Sequence, residues 1–320
     1  MVTDVRVAGS SSVFYIVAGT MSIKTYFMIM LEVAMKRKFL GRKIALICLS
    51  LIAMFFSVSH HAEAVVFGEP DGEAHPQVGV LLFVQNGIGF FSCTGTLLSP
   101  TVMLTAGHCV EGSNNQTNDV TYVRFTENAL EGIEGYTDLQ KWLDEKWIRA
   151  EEVIPHPEYD NYNDFPNTFD VGLVRLPSSQ AVYPTVYGIL PTEGFLETVK
   201  KDKNKENRFT VVGYGLQGLI NPFYQDDFAR YQAATRLVEL NSYFNGPGSS
   251  AKFTSNPGHV RGGTCFGDSG GPIFYQDTPI ITAIVSFGMT PCIGVSYQYR
   301  IDTDTALNFI TPYLMPESSR

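Results

Sequence analysis

Gly267-Asp268-Ser269-Gly270-Gly271-Pro272 is the stretch of this 320-residue sequence that decides how the rest of it is interpreted. A serine on a glycine turn can be approached closely, because no β-carbons crowd its hydroxyl, and such a serine can act as a nucleophile. Glycine turns that contain serine are also common, and an ordinary tight turn would explain this run if it stood alone. The question is therefore whether the chain supplies the partners that a nucleophilic serine needs.

His108, in Leu104-Thr105-Ala106-Gly107-His108-Cys109, is the candidate base. A serine hydroxyl near neutral pH needs an adjacent group to take its proton, and histidine titrates in the right range. Three further histidines follow residue 64 in loop-like contexts, where surface roles are expected: His75, His156 and His259. A buried structural role is the alternative for His108.

Asp170 is the candidate third member, because it begins the apolar run Val171-Gly172-Leu173-Val174-Arg175-Leu176. A third group must fix the tautomer of the imidazole and balance its charge. An aspartate entering an apolar strand is costly unless it has a hydrogen-bonded partner, so its position indicates a buried pair. A strand-edge aspartate facing water is the alternative.

Short runs rich in β-branched and aromatic residues, separated by Gly, Pro, Asn or charged clusters, predict an all-β fold. The predicted strands are Val78 to Val84, Phe90 to Leu98, Val102 to Thr105, Val120 to Phe125, Val171 to Leu176, Phe209 to Val212, Pro272 to Tyr275, Ile280 to Phe287 and Val295 to Ile301. Two antiparallel barrels or a sandwich fit this series. Helices are predicted at Thr137 to Trp147 and from Asp304 at the C-terminus, and a long loop at Asn241 to Gly263.

Gly267 to Gly271 also fits the Gly-x-Ser-x-Gly pattern of an α/β-hydrolase. That fold requires a strand-to-helix elbow and a histidine after the serine. Here His108 precedes Ser269 and no βα alternation surrounds it, so the match is set aside as a coincidence.

Residues 35–64 have the pattern of an export signal, with a basic start, an apolar run from Ile44 to Val58 and Ala62-Glu63-Ala64 before the expected cleavage point. A membrane anchor is the alternative, but about 15 apolar residues fall short of the roughly 20 that span a bilayer. Residues 1–34 are expected to be a non-functional upstream extension, with translation starting at Met35. The expected location is therefore secreted, periplasmic or extracellular, without stable membrane association after cleavage.

Residues 1–64 carry 7 of the 23 Lys and Arg residues and 3 of the 32 Asp and Glu residues, which leaves 16 basic against 29 acidic side chains and a net charge of −13. Binding to nucleic acid requires clustered Lys and Arg, so nucleic acid is not expected as a partner.

Four cysteines follow the predicted signal, and an even number in an exported protein usually means disulfides. Among three possible pairings, the local spacings favour Cys93 with Cys109 and Cys265 with Cys292. Cys48 lies inside the apolar signal, where a lipid-anchored cysteine is the alternative; the bulky Ile47 before it disfavours that. No Cys-x-x-Cys motif indicates a metal, and no metal or cofactor is expected.

The segments around His108, Asp170 and Ser269, in that order, resemble those of the trypsin/chymotrypsin family of serine proteases. Further matches are Val66-Phe67-Gly68 near the mature N-terminus, Val212-Gly213-Tyr214-Gly215 at a mid-chain turn and Val285-Ser286-Phe287-Gly288 at the substrate-binding edge. The resemblance implies that residues 65–320 form one protease domain of two six-stranded antiparallel β-barrels, with the active site in the cleft between them and a C-terminal helix.

The resemblance also implies roles for individual residues. Ser269 would attack the peptide carbonyl, His108 would act as base and then acid, and Asp170 would orient His108. The backbone N–H groups of Gly267 and Ser269 would form the oxyanion hole. An N-terminal amine on Val65 would insert beside Asp268, so that signal cleavage alone would yield active enzyme.

Primary specificity is predicted to depend on Gly263, six residues before Ser269, where tryptic members of the family carry aspartate. Thr264 would lie beside Gly263, with Ser286, Phe287 and Gly288 along the pocket wall. Without a buried carboxylate a preference for Lys or Arg loses its counter-charge, so an apolar or aromatic P1 residue is expected. The expected protein is a monomeric serine endopeptidase acting on polypeptides; the alternative is a catalytically inactive homologue that binds a partner.

Overall fold

The structure is a computed structural model that describes residues 2–4, 15–17, 65–84, 90–111, 120–203, 205–220, 223–240, 248–256 and 262–315. Met1–His61 and Ala62–Arg320 form separate compact units. In the first unit, strand β1 (Val2–Asp4) pairs antiparallel with β2 (Tyr15–Val17). The predicted signal, residues 35–64, lies outside the described residues, as does the rest of the predicted extension.

Strands account for most of the regular structure in the second unit. Its strands are β3 (Glu69–Pro70), β4 (Val78–Val84), β5 (Phe90–Leu97), β6 (Val102–Thr105), β7 (Val120–Arg124), β8 (Ile148–Arg149), β9 (Glu152–Pro155), β10 (Gly172–Arg175), β11 (Phe209–Gly213), β12 (Gly218–Ile220), β13 (Phe223–Gln225), β14 (Tyr231–Thr235), β15 (Leu237–Glu239), β16 (Ser250–Ser255), β17 (Pro272–Tyr275), β18 (Ile281–Gly288) and β19 (Gly294–Arg300). Its helices are α1 (Gly107–Glu111), α2 (Leu139–Lys146), α3 (Phe195–Lys201) and α4 (Asp304–Leu314), with 3-10 turns at Ile133–Gly135 and Ser178–Gln180.

Two curled antiparallel sheets, which we call the first and second half-barrels, organise these strands. The first has the order β8-β7-β4-β5-β6-β10-β9, and the second has the order β15-β16-β19-β18-β17-β11-β14-β3. The short strands β8, β3 and β15 lie at sheet edges, and six longer strands remain in each sheet. The predicted all-β class, the two antiparallel sheets and the C-terminal helix are therefore confirmed.

The sheets bury two apolar cores, and the first core also includes residues from β11, β17, β18 and β19 of the second half-barrel. In β4, Val78, Leu81 and Phe83 have no solvent exposure and pack with residues of β6, β10 and α4 in the first core. Phe209 and Val211 of β11 are equally buried in the second core. Because successive side chains of a strand point to opposite faces, Val78 faces opposite to Leu81 and Phe83, so β4 is buried on both faces.

The prediction of one long loop from Asn241 to Gly263 was wrong, because β16 lies within it. This strand pairs with β19 over six residues, from Ser250 opposite Tyr299 to Ser255 opposite Gly294. The strand has two fully buried apolar residues, Ala251 and Phe253, but its Ser, Lys and Thr residues make the sequence look like a polar loop. The pairing with β19, which the composition does not reveal, therefore determines the strand.

The expected surface role of His156 was also wrong. Its ring is buried between Phe169 and Phe309 of α4, at centroid distances of 5.0 and 4.9 Å. His75 is largely buried as well: its Nδ1 lies 2.5 Å from Asp71 Oδ1, and its ring stacks on Phe274. His259 lies outside the described residues. Aromatic packing and a buried carboxylate, both distant in sequence, account for these positions.

A buried ion pair between Arg230 and Asp71 connects several segments of the second unit. Arg230 Nε donates to Asp71 Oδ2 at 2.8 Å, and both side chains are at most 1% exposed. The other two nitrogens of the same guanidinium group also donate: Nη1 to the carbonyls of Val78 and Phe125 and to the hydroxyl of Tyr214, and Nη2 to the carbonyl of Gly72. These acceptors belong to four separate parts of the chain, the turn at Asp71 and Gly72, and the positions of Val78, Phe125 and Tyr214, so the arginine connects them. Among the described residues, no helix is long and apolar enough to cross a membrane.

Replacing Arg230 by Met should lower the free energy of unfolding by about 3 to 5 kcal/mol, because Asp71 would be left buried with its charge uncompensated by the guanidinium. The matched control is Arg208→Met, which breaks the exposed pair of Arg208 with Asp277 and should cost no more than about 1 kcal/mol. Urea denaturation of the three proteins measures both values. Equal losses in the two variants would contradict the role given to Arg230.

Candidate active site

His108 is held at the start of α1, directly after β6 of the first half-barrel. The neighbouring Cys109 forms a disulfide with Cys93 of β5, with an S–S distance of 2.02 Å. A second disulfide joins Cys265 to Cys292. Both predicted pairings are therefore confirmed, and the first of them fixes the backbone beside His108.

Asp170 lies immediately before β10, with no solvent exposure, and faces His108. Its Oδ1 accepts a hydrogen bond from the backbone N–H of His108 at 2.9 Å, and His108 Nδ1 lies 3.0 Å from both carboxylate oxygens. Ser286 Oγ, from β18 of the second half-barrel, donates to Oδ2 at 2.5 Å. The structure therefore brings the buried carboxylate of Asp170 and the imidazole of His108 together.

The pKa values of the two groups move so that both charged forms are favoured. Burial lowers the pKa of His108, but the charge of Asp170 and its hydrogen bond more than offset this, so the pKa lies above its usual value. Burial raises the pKa of Asp170, and the His108 charge together with donors from His108 and Ser286 lowers it below its usual value. The carboxylate can therefore balance a positive charge that develops on the imidazole.

Ser269 lies on a turn that Thr94 of β5 fastens to the first half-barrel. The Thr94 N–H donates to the Ser269 carbonyl at 2.8 Å, and its hydroxyl donates to the Gly267 carbonyl at 2.9 Å. The same hydroxyl accepts from the Tyr214 N–H at 3.0 Å. Gly267 has φ of +97°, and a Cβ there would lie 2.8 Å from Gly215 Cα, so only glycine fits. Ser269, Gly267 and His108 line one cleft of about 660 Å³.

Asp268 points away from the cleft and is fully buried. Its Oδ2 accepts from the Cys265 N–H and its Oδ1 from the Gly215 N–H, both at 2.8 Å. Burial raises the pKa of Asp268 to about 7, against the opposing effect of these two donors. Among the residues that the structure describes, no cationic side chain pairs with it.

Of the predicted pocket residues, Thr264, Ser286, Phe287 and Gly288 line the cleft. Gly263 is buried but does not line it, because Ser255 of β16 lies against it: a Cβ on Gly263 would be 2.4 Å from Ser255 Cα. Ser255, with Ser296 of β19, lines the cleft at this point instead of Gly263.

Ser255 and Ser296, which the sequence did not identify, add buried hydroxyl groups to the cleft. Ser255 Oγ donates to Ser296 Oγ at 3.1 Å, and Gln298 Nε2 donates to the same Ser296 oxygen at 2.7 Å. Gln298 Oε1 accepts from the Ser286 N–H at 3.2 Å. This chain of neutral groups runs behind the predicted pocket. Only the pairing of β16 with β19 brings it together, so no local motif indicates it.

Two more residues that the sequence did not single out contact the site: Thr94, described above, and Tyr162, whose hydroxyl reaches Asp170. One group of potential metal ligands occurs among the described residues, namely Cys93, His108 and Cys109. Both of its sulfurs are in a disulfide and cannot supply thiolates.

Known proteins resemble this chain in sequence and in fold. A family model described as Trypsin matches residues 68–310. The chain is 29% identical to a phenoloxidase-activating enzyme of Bombyx mori, covering 72% of this chain and 56% of that protein. It is 28% identical to CLIP domain-containing serine protease B15 of Anopheles gambiae, covering 72% and 64%. The chain therefore spans about three fifths of the length of these relatives.

A solved structure described as HL collagenase superposes with a TM-score of 0.57 at 19% identity, covering 78% of this chain and 98% of that one. At this identity the likeness concerns the fold alone. The two curled antiparallel sheets and the C-terminal helix are those of the chymotrypsin fold. Since the family model covers most of the chain, the protein belongs to the trypsin family.

Proposed function

We propose that this protein is an exported serine endopeptidase that hydrolyses peptide bonds through Ser269, His108 and Asp170. The observation that carries the proposal is the buried Asp170 carboxylate facing His108 Nδ1 at 3.0 Å, with Ser269 in the same cleft. A buried carboxylate needs a compensating partner, and the pair supplies what general-base catalysis on a serine hydroxyl requires.

Each residue has a defined part in this reaction. Asp170 holds the Nδ1–H tautomer, so that Nε2 of His108 is free to take the proton of Ser269. Ser269 attacks the carbonyl carbon and forms an acyl-enzyme as His108 passes the proton to the leaving amine; the same imidazole then activates water. The N–H groups of Gly267 and Ser269 stabilise the oxyanion, each worth about 3 to 4 kcal/mol in the transition state.

Replacing Ser269 by Ala should lower casein hydrolysis by about 10⁴-fold or more, because the nucleophile is lost while the fold keeps its contacts. The wild type should also be labelled by a serine-directed phosphonate, and the variant should not. Unlabelled wild type with no activity would support the alternative, a catalytically inactive homologue that binds a partner. A denaturation curve of Ser269→Ala controls for folding.

An apolar or aromatic P1 side chain is the proposed preference. Thr264, Ser255 and Ser296 line the cleft with hydroxyls, and none of these can neutralise a P1 cation. The described residues that line the cleft also include one carboxylate, Asp226, and burial raises its pKa, which weakens it as a counter-charge. Burying Lys or Arg without a counter-charge costs several kcal/mol, whereas an apolar side chain gains from leaving water. Gly288 leaves room along the wall, since a Cβ there would still lie 3.5 Å from Ser296 Cβ.

A peptide-library cleavage profile should therefore show Phe, Tyr or Leu at P1 cleaved at least about 10-fold faster than Lys or Arg, measured as kcat/KM. Matched substrates that differ only at P1 separate this effect from the other subsites. A higher kcat/KM for Lys or Arg than for every apolar residue would contradict the neutral pocket as the source of specificity.

Cleavage after Ala64, which removes the proposed signal and upstream extension, is also proposed to activate the enzyme by freeing the Val65 amine for Asp268. Val65 is fully buried at φ of +51°, a strained value for a β-branched residue, and cutting the 64–65 bond removes that dihedral. Val66 packs with the Cys265–Cys292 disulfide, and its carbonyl accepts from the Gly263 N–H at 3.0 Å. The chain start thus braces the segment that leads to Ser269.

A protein that begins at Val65 should have a kcat/KM about 100-fold above one that retains the preceding residues, because a buried ion pair is worth roughly 3 kcal/mol. Asp268→Asn should abolish most of this difference. Kinetics on one peptide substrate, with N-terminal sequencing of both forms, measure the effect. Equal activity of the two forms would rule out Val65 as an activator.

The pH dependence of stability gives a second measure of the same pair. In the extended form the pKa of Asp268 is raised to about 7 in the folded state, above its unfolded value of about 3.9. The raised pKa of Asp268 therefore adds to the free energy of unfolding at low pH, and this gain is lost as pH rises through 7. Asp268→Asn should remove this part of the pH dependence, measured by urea denaturation across the pH range.

The proposed enzyme is exported, is a monomer and acts on polypeptide substrates. The two disulfides fit an oxidising compartment, and the net charge of −13 calculated for residues 65–320 disfavours nucleic acid as a partner.

A further inference from the structure

The hydroxyl of Tyr162 lies inside the hydrogen-bond network of Asp170. It is 2.8 Å from Asp170 Oδ2, 3.1 Å from His108 Nδ1 and 3.5 Å from Ser286 Oγ. Tyr162 comes from the segment between β9 and β10, eight residues before Asp170, and nothing in the reaction described above requires a phenol there. Its position therefore needs a separate explanation.

Which groups carry a proton determines which atom donates in each of these hydrogen bonds. Burial and the Asp170 charge raise the pKa of Tyr162 far above its usual value, so the phenol keeps its proton and donates to Oδ2. Oδ1 accepts the His108 backbone N–H, and Oδ2 also accepts the Ser286 hydroxyl. With Tyr162 and Ser286 on Oδ2, the Nδ1–H of His108 is directed towards Oδ1.

The Tyr162 side chain is held in place by packing and by its backbone. Its ring meets Tyr159 and Phe287 edge-on, at centroid distances of 5.8 and 6.0 Å. Both Asn161 and Tyr162 have positive φ, 59° and 63°. Such conformations cost about 1 to 3 kcal/mol each and persist only when the surroundings impose them. The segment is thus strained in a way that brings the hydroxyl to Asp170.

We propose that Tyr162 is a positioning residue that locks the plane of the Asp170 carboxylate and limits the basicity of His108. This inference rests on the proposed function of the triad. A donor on Oδ2 withdraws negative charge from the carboxylate, so less charge is available to stabilise the imidazolium. Tyr162 therefore keeps more of His108 in the neutral, base-competent form near neutral pH.

Other titratable groups also face the pair. Tyr159, from the same segment as Tyr162, and Tyr299, from β19, interact electrostatically with Asp170, while Glu111 of α1 and Asp160 act on Tyr159. Burial raises the pKa of Tyr159 and Tyr299 above the usual value, so both stay neutral through the range in which His108 titrates. Glu111 and Asp160 are unchanged by a substitution at Tyr162 and serve as a constant background.

Tyr162→Phe removes the hydroxyl and keeps the ring. We expect kcat to fall about 3- to 10-fold and the acid limb of the kcat/KM profile to move up by about half a pH unit, the size expected for one lost hydrogen bond to a charged group. The matched control is Tyr159→Phe, which removes a buried hydroxyl from the same segment. Among the described residues that hydroxyl has no hydrogen-bond partner, so less than about 2-fold change and no shift of the acid limb are expected.

NMR titration of His108 makes the test independent of turnover. In a Ser269→Ala background, the imidazole pKa should rise by about half a unit on adding Tyr162→Phe and stay constant on adding Tyr159→Phe. An unchanged or lower pKa with Tyr162→Phe overturns the inference, as does a change confined to KM. An inactive wild type in which the NMR shift still occurs would instead overturn the proposed function and leave the positioning role supported.

Discussion

Thr94 supplies the hydrogen bonds on which the arrangement of the cleft depends. This fully buried residue of the first half-barrel donates from its backbone to Ser269 and from its hydroxyl to Gly267, while Tyr214 donates to the same hydroxyl. Two segments of the chain, the turn that carries Gly267 and Ser269 and the turn at Tyr214, are thereby fixed to this one residue. Since a buried polar group left without a partner costs about 1 to 3 kcal/mol, these bonds define a single relative position for the nucleophile turn.

Two buried carboxylates near that turn have opposite electrostatic surroundings. Asp170 faces an imidazole and has donors on both oxygens, so its pKa is lowered. Asp268 has two backbone donors, and its pKa is raised to about 7 by burial. The difference is physical: backbone dipoles stabilise a carboxylate less than a nearby positive charge does. In the activation proposed above, the Val65 amine would supply that positive charge to Asp268.

The sequence allowed most of the fold to be predicted and a defined part of the site. Strands such as β4 and β6 were predicted with their observed bounds, because their apolar runs end at turn residues. His108 and Asp170 carry local signatures, and the structure brings them together. Ser255 and Thr94 carry none: their contacts join residues as much as 173 positions apart, and pairing of distant strands creates them. Tyr162 also has no local signature, because its contact with Asp170 depends on the positive φ angles of Asn161 and Tyr162. The pairing register of strands that are distant in sequence, such as β16 and β19, cannot be predicted from local sequence patterns.

The burial of Asp170 depends on donors from both half-barrels. An ionised carboxylate removed from water costs several kcal/mol, so its oxygens must be satisfied by protein donors. Here one donor side chain, His108, belongs to the first half-barrel and another, Ser286, to the second. If the half-barrels separated, Ser286 would be lost and the carboxylate would regain water or its proton. Tyr162, in contrast, reaches Oδ2 from the same segment as Asp170, so its bond survives small relative movements of the sheets. The Asp170 carboxylate therefore keeps the Tyr162 hydroxyl as a donor of fixed geometry. The Ser286 hydroxyl, which reaches it across the cleft, makes the carboxylate sensitive to the position of β18.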